Sequence, residues 1–447
     1  MPEGNRKSQF DHRTATADEV SELARELPGL TLGQIPGAIF AGRDPRRGTG
    51  EVGLAIEAFF GIAPNALADA DFPTAGIELK VVPLVRNVGG PRVKERTVIS
   101  MIDYETIVKE TWGVASVRKK LNILFVFFEH LYDRPKQEFP VLAVTSWEPS
   151  GAVRDTIQAD WQRVVDKVAT GLAHELSESD GQIMGPCTKG VDSLHLRSQP
   201  FGPPAKSRAF ALKPSFTLAL YLESLKAELD DRRLAELASS RELETSFGRF
   251  IGRQISDIGG ELGIPSSRAK NYAASVVHAA VRASSPVPMD EFETSGPTVR
   301  MTRVGPDLLP YEALSFPPFR NLELVDEIWV DSSLLEKVEH MLIVPVRGRT
   351  RGTPQGECVV GDPVLWHPSA GDLEVIEREW TMFRDLISRG KADVLPTETK
   401  TMAIHVRPHG RDASDTDPTP GGGSVTKKSF WLNKKFVQRI LAEQTPS

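Results

Sequence analysis

"DFPTAGIELKVVP", residues Asp71 to Pro83, decides how its surroundings fold. Ile77, Leu79 and Val81 alternate with Glu78 and Lys80, the period of two expected of a strand with one buried face. Pro73 and Gly76 mark a bend just before it. Asp71 therefore lies across that bend from Glu78 and Lys80. Two carboxylates and an amine are drawn to the edge of an apolar strand.

Outward from this strand the first half of the chain reads as helices and then a strand hairpin around residues 76 to 102. A helix over 105 to 119 is expected next, then a strand at 121 to 128, "LNILFVFF", and another ending at Trp147. A helix over 152 to 172, a long loop and a final helix from about 214 complete the unit. The pattern predicts a mixed sheet flanked by helices, α/β or α+β.

The same order recurs. "ETWGVASVRKKL" at 110 to 121 answers "EIWVDSSLLEKV" at 327 to 338, each with Glu, Trp two later and Lys eight beyond the Trp. Trp147 and Trp161 match Trp366 and Trp380 at one spacing, followed by Gly171 and Gly390. "RAFALKPSF" at 208 to 216 answers "KSFWLNKKF" at 428 to 436, and the offset stays between 217 and 220. Three matches in order at a near-constant offset indicate an internal duplication. The intervening "LALYLESLKAELDDRRLAELASSRELETSFGRF" has leucines at helical spacing among many charges and no proline. The expected organisation is a first domain over 1–228, a helical linker over 229–245 and a second domain over 246–447. Long loops are expected at 177–207 and 408–427, a length that in compact domains is functional or disordered.

A chain of 447 residues with 40% hydrophobic and 26% charged residues fits a globular protein of two or three domains. No apolar run reaches the roughly 18 to 20 residues of a membrane helix. The polar N-terminus lacks the apolar core of a secretory signal. The two cysteines, Cys187 and Cys358, are far apart and fit a reducing cytoplasm without a disulfide framework or zinc cage. A net charge of −6 excludes a generic polyanion binder, yet basic residues cluster over 86–120 and 427–439.

Asp71, Glu78 and Lys80 have the spacing D-x6-E-x-K. Hard carboxylate oxygens suit Mg²⁺, which is held by one or two carboxylates together with substrate phosphate. A lysine beside them can stabilise charge on a phosphoryl group under attack. The spacing alone also fits an ordinary solvated strand. Glu57, in the apolar helical stretch "GEVGLAIEAFFG", and Lys120, at the start of "LNILFVFF", add to the charge set. The second copy has "TSGPTVRMTRV" instead, with Arg300 and Thr302 expected about where Glu78 and Lys80 stand. One half carries the constellation and the other keeps the fold without it.

Taken together, "DFPTAGIELKVVPL", "VRKKL" and "RAFALKPSF" resemble the MutH family of mismatch-repair nicking endonucleases and their relatives among GATC-cutting type II restriction enzymes. "LTLGQI" and "GLAIEAFFG" extend the resemblance over roughly residues 20 to 225. Residues 246 to 447 resemble the same domain without its catalytic residues, a layout similar to the Sau-type restriction enzymes. The resemblance implies that Glu57, Asp71 and Glu78 bind Mg²⁺, with Mn²⁺ able to substitute. It implies that Lys80 is the catalytic lysine and Lys120 a phosphate-proximal one. The family's DNA-reading loop matches "DGQIMGPCTKG", which makes Lys189 the first candidate for a base contact. Where the family has a tyrosine near the end of the domain, this chain has Ala211. Arg208 and Lys213, and in the second copy Lys427, Lys428, Lys434 and Lys435, are further candidates for DNA contact. The implied activity is Mg²⁺-dependent hydrolysis of duplex DNA at GATC, leaving 5′-phosphate ends. A DNA-dependent homodimer is the expected assembly, with neither a nucleotide cofactor nor a membrane involved. A repair-type nicking endonuclease and an inert DNA-binding protein are the alternatives.

Overall fold

The computed structural model describes residues 10–38, 50–63, 70–87, 90–132, 134–189, 196–225, 246–267, 269, 271–284, 297–412 and 414–443. The chain divides into two compact units, Met1–Ala238 and Ser239–Ser447. The connector expected over 229–245 lies outside the described residues. Among the described residues no helix is long and apolar enough to cross a membrane.

In the first unit, helices α1 (Ala17–Ala24) and α2 (Gly50–Phe59) precede strands β1 (Glu78–Asn87), β2 (Gly90–Val93) and β3 (Thr97–Met101). Strands β4 (Ile123–Glu129) and β5 (Val141–Trp147) and helix α3 (Gly151–Ala169) follow. Next come β6 (Met184–Thr188), the small hairpin β7 (Leu196–Arg197) and β8 (Ala205–Lys206), then β9 (Arg208–Leu212) and α4 (Pro214–Ser224). The main sheet has the order β2-β1-β4-β5, with β1 and β4 parallel and the other pairs antiparallel. A second sheet has the order β3-β9-β6. Strand β4, "ILFVFFE", is buried almost throughout because it has neighbours on both sides and layers on both faces.

The expected alternation in β1 holds only in part. Ile77 and Leu79 are buried, but so is Glu78, and from Val82 to Val85 both faces are covered. The expected helix over 105–119 is instead a short turn of helix, Tyr104–Ile107, and two 3₁₀ turns, Trp112–Val114 and Arg118–Lys120. Thr111, Trp112, Gly113 and Val114 are poor helix formers, and nothing in the segment supports a continuous ladder. The expected loop over 177–207 contains β6 and the β7–β8 hairpin. Strand β6 hides its nature behind Gly185 and Pro186, which it accommodates by pairing with β9 alone.

The second unit has helices α5 (Ile255–Glu261) and α6 (Tyr272–Ser284), then strands β10 (Thr298–Val304) and β11 (Leu314–Ser315). Strands β12 (Met341–Arg347), β13 (Val359–Val360) and β14 (Val364–Trp366) lead to helix α7 (Ala370–Ser388). Strands β15 (Ile404–Pro408), β16 (Thr416–Pro418), β17 (Ser424–Thr426) and β18 (Lys428–Leu432) and helix α8 (Lys434–Glu443) end it. Strands β10 and β12 run parallel like β1 and β4, and β14 pairs antiparallel with β12 as β5 does with β4.

The duplication extends to individual contacts. The Trp112 and Trp161 rings lie 5.6 Å apart at 52°, and Trp329 and Trp380 lie 5.7 Å apart at 53°. Glu110 accepts from the Ser116 amide at 3.3 Å with both oxygens, as Glu327 does from Ser333 at 3.2 Å. Asp160, enclosed in α3, accepts from the successive amides of Gln182, Ile183 and Met184. Glu379 in α7 does the same for Met402, Ala403 and Ile404. Neither carboxylate stands out in the sequence, yet each binds a helix to the start of the second sheet's edge strand.

Candidate active site

A tight hairpin turn builds the site. The Phe72 amide donates to the Ile77 carbonyl at 3.0 Å and the Ile77 amide to the Phe72 carbonyl at 3.2 Å. Gly76 closes the turn at φ 64°, a conformation that favours glycine, and Pro73 opens it. Phe72 is fully buried, its ring 5.2 Å from Phe60 in an edge-on contact, which fixes the turn to the core. Asp71 is thereby folded back against β1, where its Oδ2 accepts from the Leu79 amide at 2.8 Å.

Glu78 begins β1 and its amide donates to the Asn122 carbonyl at 2.9 Å. Lys80 Nζ lies 3.0 Å from Glu78 Oε1, and Lys120 Nζ lies 3.5 Å from the same oxygen. Lys120 comes from the 3₁₀ turn that leads into β4, the parallel neighbour of β1. The other carboxylate oxygen, Glu78 Oε2, is buried and has no hydrogen-bond partner among the described residues. A buried carboxylate oxygen without a donor is costly unless a cation or donor completes it.

Glu57 lies on α2, which packs on β1. Burial pushes its carboxyl above the ordinary range; the Asp71 charge adds to this and Lys80 opposes it. Burial also pushes Asp71 up. The Leu79 amide opposes the shift, Glu78 reinforces it, and Lys80 and Lys120 offset part of it. The negative charges thus feel one another across the site. Among the described residues, however, no group of three or more His, Cys, Asp or Glu comes close enough to hold a metal. Of the three carboxylates expected to bind metal, Asp71 and Glu78 meet at the start of β1, and Glu57 is coupled electrostatically to Asp71. That pair, with one orphaned oxygen, fits a hard divalent cation that keeps waters and shares a substrate phosphate.

Among the described residues, the second unit has no such set at the matching strand positions. Thr298 donates to the His340 carbonyl at 2.8 Å, as Glu78 does to Asn122. Counted along the paired strands, Thr298 stands for Glu78 and Arg300 for Lys80, while Lys337, eight residues beyond Trp329 as Lys120 is beyond Trp112, stands for Lys120. The expectation of Arg300 and Thr302 was therefore displaced by two residues. The half-buried Arg300 guanidinium donates to the carbonyls of Ser315 and Val299 and lies 5.4 Å from the Phe316 ring centre. Burial lowers its pKa to about 10. The segment that would answer Asp71 lies outside the described residues.

The expected DNA-contact residues separate into two groups. Lys189, at the end of β6, is half-buried, with its amide donating to the Ser207 carbonyl at 2.7 Å. Arg208 and Lys213 are instead enclosed, at 4% exposure each, which removes them from the surface. Arg208 pairs with Glu178 at 3.1 Å, and Lys213 precedes α4. In the second unit Lys427 is tied to Asp415 at 2.6 Å and Lys428 is half-buried on β18. Lys434 is half-buried and Lys435 exposed at the start of α8.

A family model described as DNA mismatch repair enzyme MutH matches residues 60–160 and 294–379. The matched stretches contain β1, β4 and β5 in one unit and β10, β12 and β14 in the other. The type II restriction enzyme Sau3AI of Staphylococcus aureus is 27% identical over 96% of this chain and 99% of its own length. The DNA mismatch repair protein MutH of Shewanella woodyi is 27% identical over 47% of this chain and 92% of its own length. That of Serratia proteamaculans is 29% identical, covering 45% and 90%. Each of the two units thus contains a stretch similar to the MutH family, as two tandem copies of one domain would.

Proposed function

We propose that the protein is a type II restriction endonuclease that hydrolyses phosphodiester bonds in duplex DNA with Mg²⁺. The observation that carries this is the asymmetry between the copies. In the first unit Lys80 and Lys120 converge on one Glu78 oxygen with Asp71 folded back against the same strand, and in the second Thr298 and Arg300 stand at the strand positions of Glu78 and Lys80. Likeness to a restriction enzyme along nearly the whole of both chains favours restriction over repair-type nicking, because the repair proteins match less than half of this chain.

Asp71 and Glu78 would hold the cation, which supplies Lewis-acid polarisation of the scissile phosphate and of an attacking water. Lys80, fixed at 3.0 Å from Glu78, orients that water and offsets the charge that grows on the phosphoryl oxygens. Lys120 adds a second positive charge on the same side, close enough to neutralise the incoming phosphate. In-line attack breaks the bond to the 3′ oxygen and leaves the phosphate on the 5′ end. Lys189 is the base contact of the reading loop, and GATC is the proposed target.

One catalytic set per chain cuts one strand at a time, so cutting both strands uses two chains paired on DNA or two successive events. The second unit binds a further DNA segment through Lys435 and its neighbours and promotes cleavage. The test is incubation of the purified full chain with plasmid DNA and Mg²⁺, followed by mapping of the ends. Discrete fragments with 5′-phosphate ends at one short sequence are expected. Persistent intact plasmid, or nicks alone, would contradict the restriction reading.

A further inference from the structure

Beneath the reading strand of the first unit lies a charge pair that the cleavage chemistry does not use. Glu178 and Arg208 are each 4% exposed and meet at 3.1 Å. The same Glu178 oxygen accepts from the Thr188 amide at 3.1 Å and from the Thr188 hydroxyl at 2.8 Å. Arg208 also donates to the Pro186 carbonyl at 3.1 Å. Two residues of β6, Pro186 and Thr188, are thus held from below, and the next residue is Lys189. On its other side the Lys189 amide donates to the Ser207 carbonyl. The Lys189 Cα is fixed between two anchors. The far end of β6 is held by Asp160 through the Met184 amide at 3.0 Å.

The second unit has a related pair that is aimed elsewhere: Glu398 meets Arg407 of β15 at 2.7 Å and accepts from the Lys434 amide at 3.2 Å. Pro408 and Lys428 pair across β15 and β18 as Thr188 and Arg208 pair across β6 and β9. Proline has neither an amide proton nor a hydroxyl to give a carboxylate from below. His409, whose amide donates to Lys427 as that of Lys189 does to Ser207, is steadied instead through its ring at 2.6 Å from Ser429 Oγ. Among the described residues a carboxylate–guanidinium pair is thus present in both copies, but only in the first does it hold the residue that precedes Lys189.

We propose that Glu178 and Arg208 are positioning residues: through Thr188 they fix the direction of Lys189 and so set how strictly the enzyme discriminates its DNA sequence. This rests on the reading of Lys189 as a base contact. Base-edge contacts carry discrimination only when their donors are held in register with the groove. Burial pushes the Glu178 carboxyl up, but Arg208 and Arg96 beside it and the Thr188 hydroxyl more than offset this, so it stays ionised and a strong acceptor.

The test compares kcat/KM on a duplex bearing the mapped cleavage sequence with duplexes changed by one base pair, using the full chain and Mg²⁺. Lys189→Ala sets the scale for lost discrimination. Thr188→Val, which touches neither charge, should lower the ratio by about 2- to 10-fold, the range for one hydrogen bond. The double variant Glu178→Leu with Arg208→Met leaves neither of the paired charges buried alone, so its melting temperature should exceed that of Glu178→Leu. Its discrimination should nonetheless fall toward that of Lys189→Ala. Recovery of discrimination together with stability would make the pair purely structural and overturn the proposal. Should the double variant fail to fold, Thr188→Val decides alone: an unchanged ratio overturns it. Unchanged discrimination in Lys189→Ala would overturn both the proposal and the base-contact reading, while the cutting assignment stands or falls separately on Glu78→Ala.

Discussion

Thr298 occupies in the second unit the place that Glu78 holds in the first. Each donates its amide to the residue just before the parallel strand, Glu78 to Asn122 at 2.9 Å and Thr298 to His340 at 2.8 Å. The backbone where the two parallel strands begin is therefore common to both copies, and at these strand positions the side chains make the difference.

The lysines should prove unequal. Lys80→Met removes the ammonium nearest Glu78 and is expected to slow cleavage by about 10²- to 10³-fold, the effect of one charge-stabilising donor. Lys120→Met, 3.5 Å from the same oxygen, should cost less. Single-turnover rates at saturating enzyme separate this from changes in DNA binding.

The raised carboxyls of Asp71 and Glu57 give a pH dependence of known sign. A folded-state pKa above the unfolded one contributes stability that is present below the unfolded value and lost as pH rises through the folded one. Near neutral pH the ionised pair therefore destabilises the metal-free protein. Asp71→Asn, which keeps an acceptor for the Leu79 amide, should raise the melting temperature in chelator at pH 7 and lose that advantage as the pH falls toward 4. An equal or lower melting temperature at pH 7 would show that the Asp71 charge is not strained. Divalent-ion affinity should decline with acidity from a higher pH than an ordinary aspartate would give.

Asp160 and Glu379 hold the same three-amide position in the two units. Asp160→Asn or Glu379→Gln turns a charged acceptor into a weaker one and adds a donor with no place to go. Each should cost about 2 to 4 kcal/mol in urea unfolding of the unit that contains it. Equal losses would show that the duplicated carboxylates serve folding in both copies.

In the second unit the exposed Lys435 should matter more than Lys427, which Asp415 already neutralises at 2.6 Å. Lys435→Ala is expected to weaken DNA binding alike for all sequences and to lower the salt slope by about one. Lys427→Ala should change the slope less. Titration across a range of salt concentrations distinguishes them.

Much of this was legible in the sequence, and the failures have physical causes. The Asp71–Glu78–Lys80 set was visible because Pro73 and Gly76 announce the turn that gathers it. The two-residue slip in the second copy was not, because a strand's side chains repeat every second residue and either register presents the same face. Pairing between β10 and β12 resolves it. Arg208 and Lys213 read as surface cations, since their burial depends on residues distant in sequence, Glu178 in the case of Arg208. Strand β6 was missed where Gly185 and Pro186 lower strand propensity but an edge position tolerates them.

The most direct measurement of the central claim is Mg²⁺-dependent cleavage of plasmid DNA by the full chain, its Glu78→Gln variant and its Thr298→Val variant, with DNA affinity measured in parallel. The account predicts that Glu78→Gln binds DNA at least as well as the parent yet cuts at least about 100-fold more slowly, having lost a cation ligand. Thr298→Val should cut at the parental rate. Parental cleavage by Glu78→Gln, or loss of cleavage in Thr298→Val alone, would contradict it.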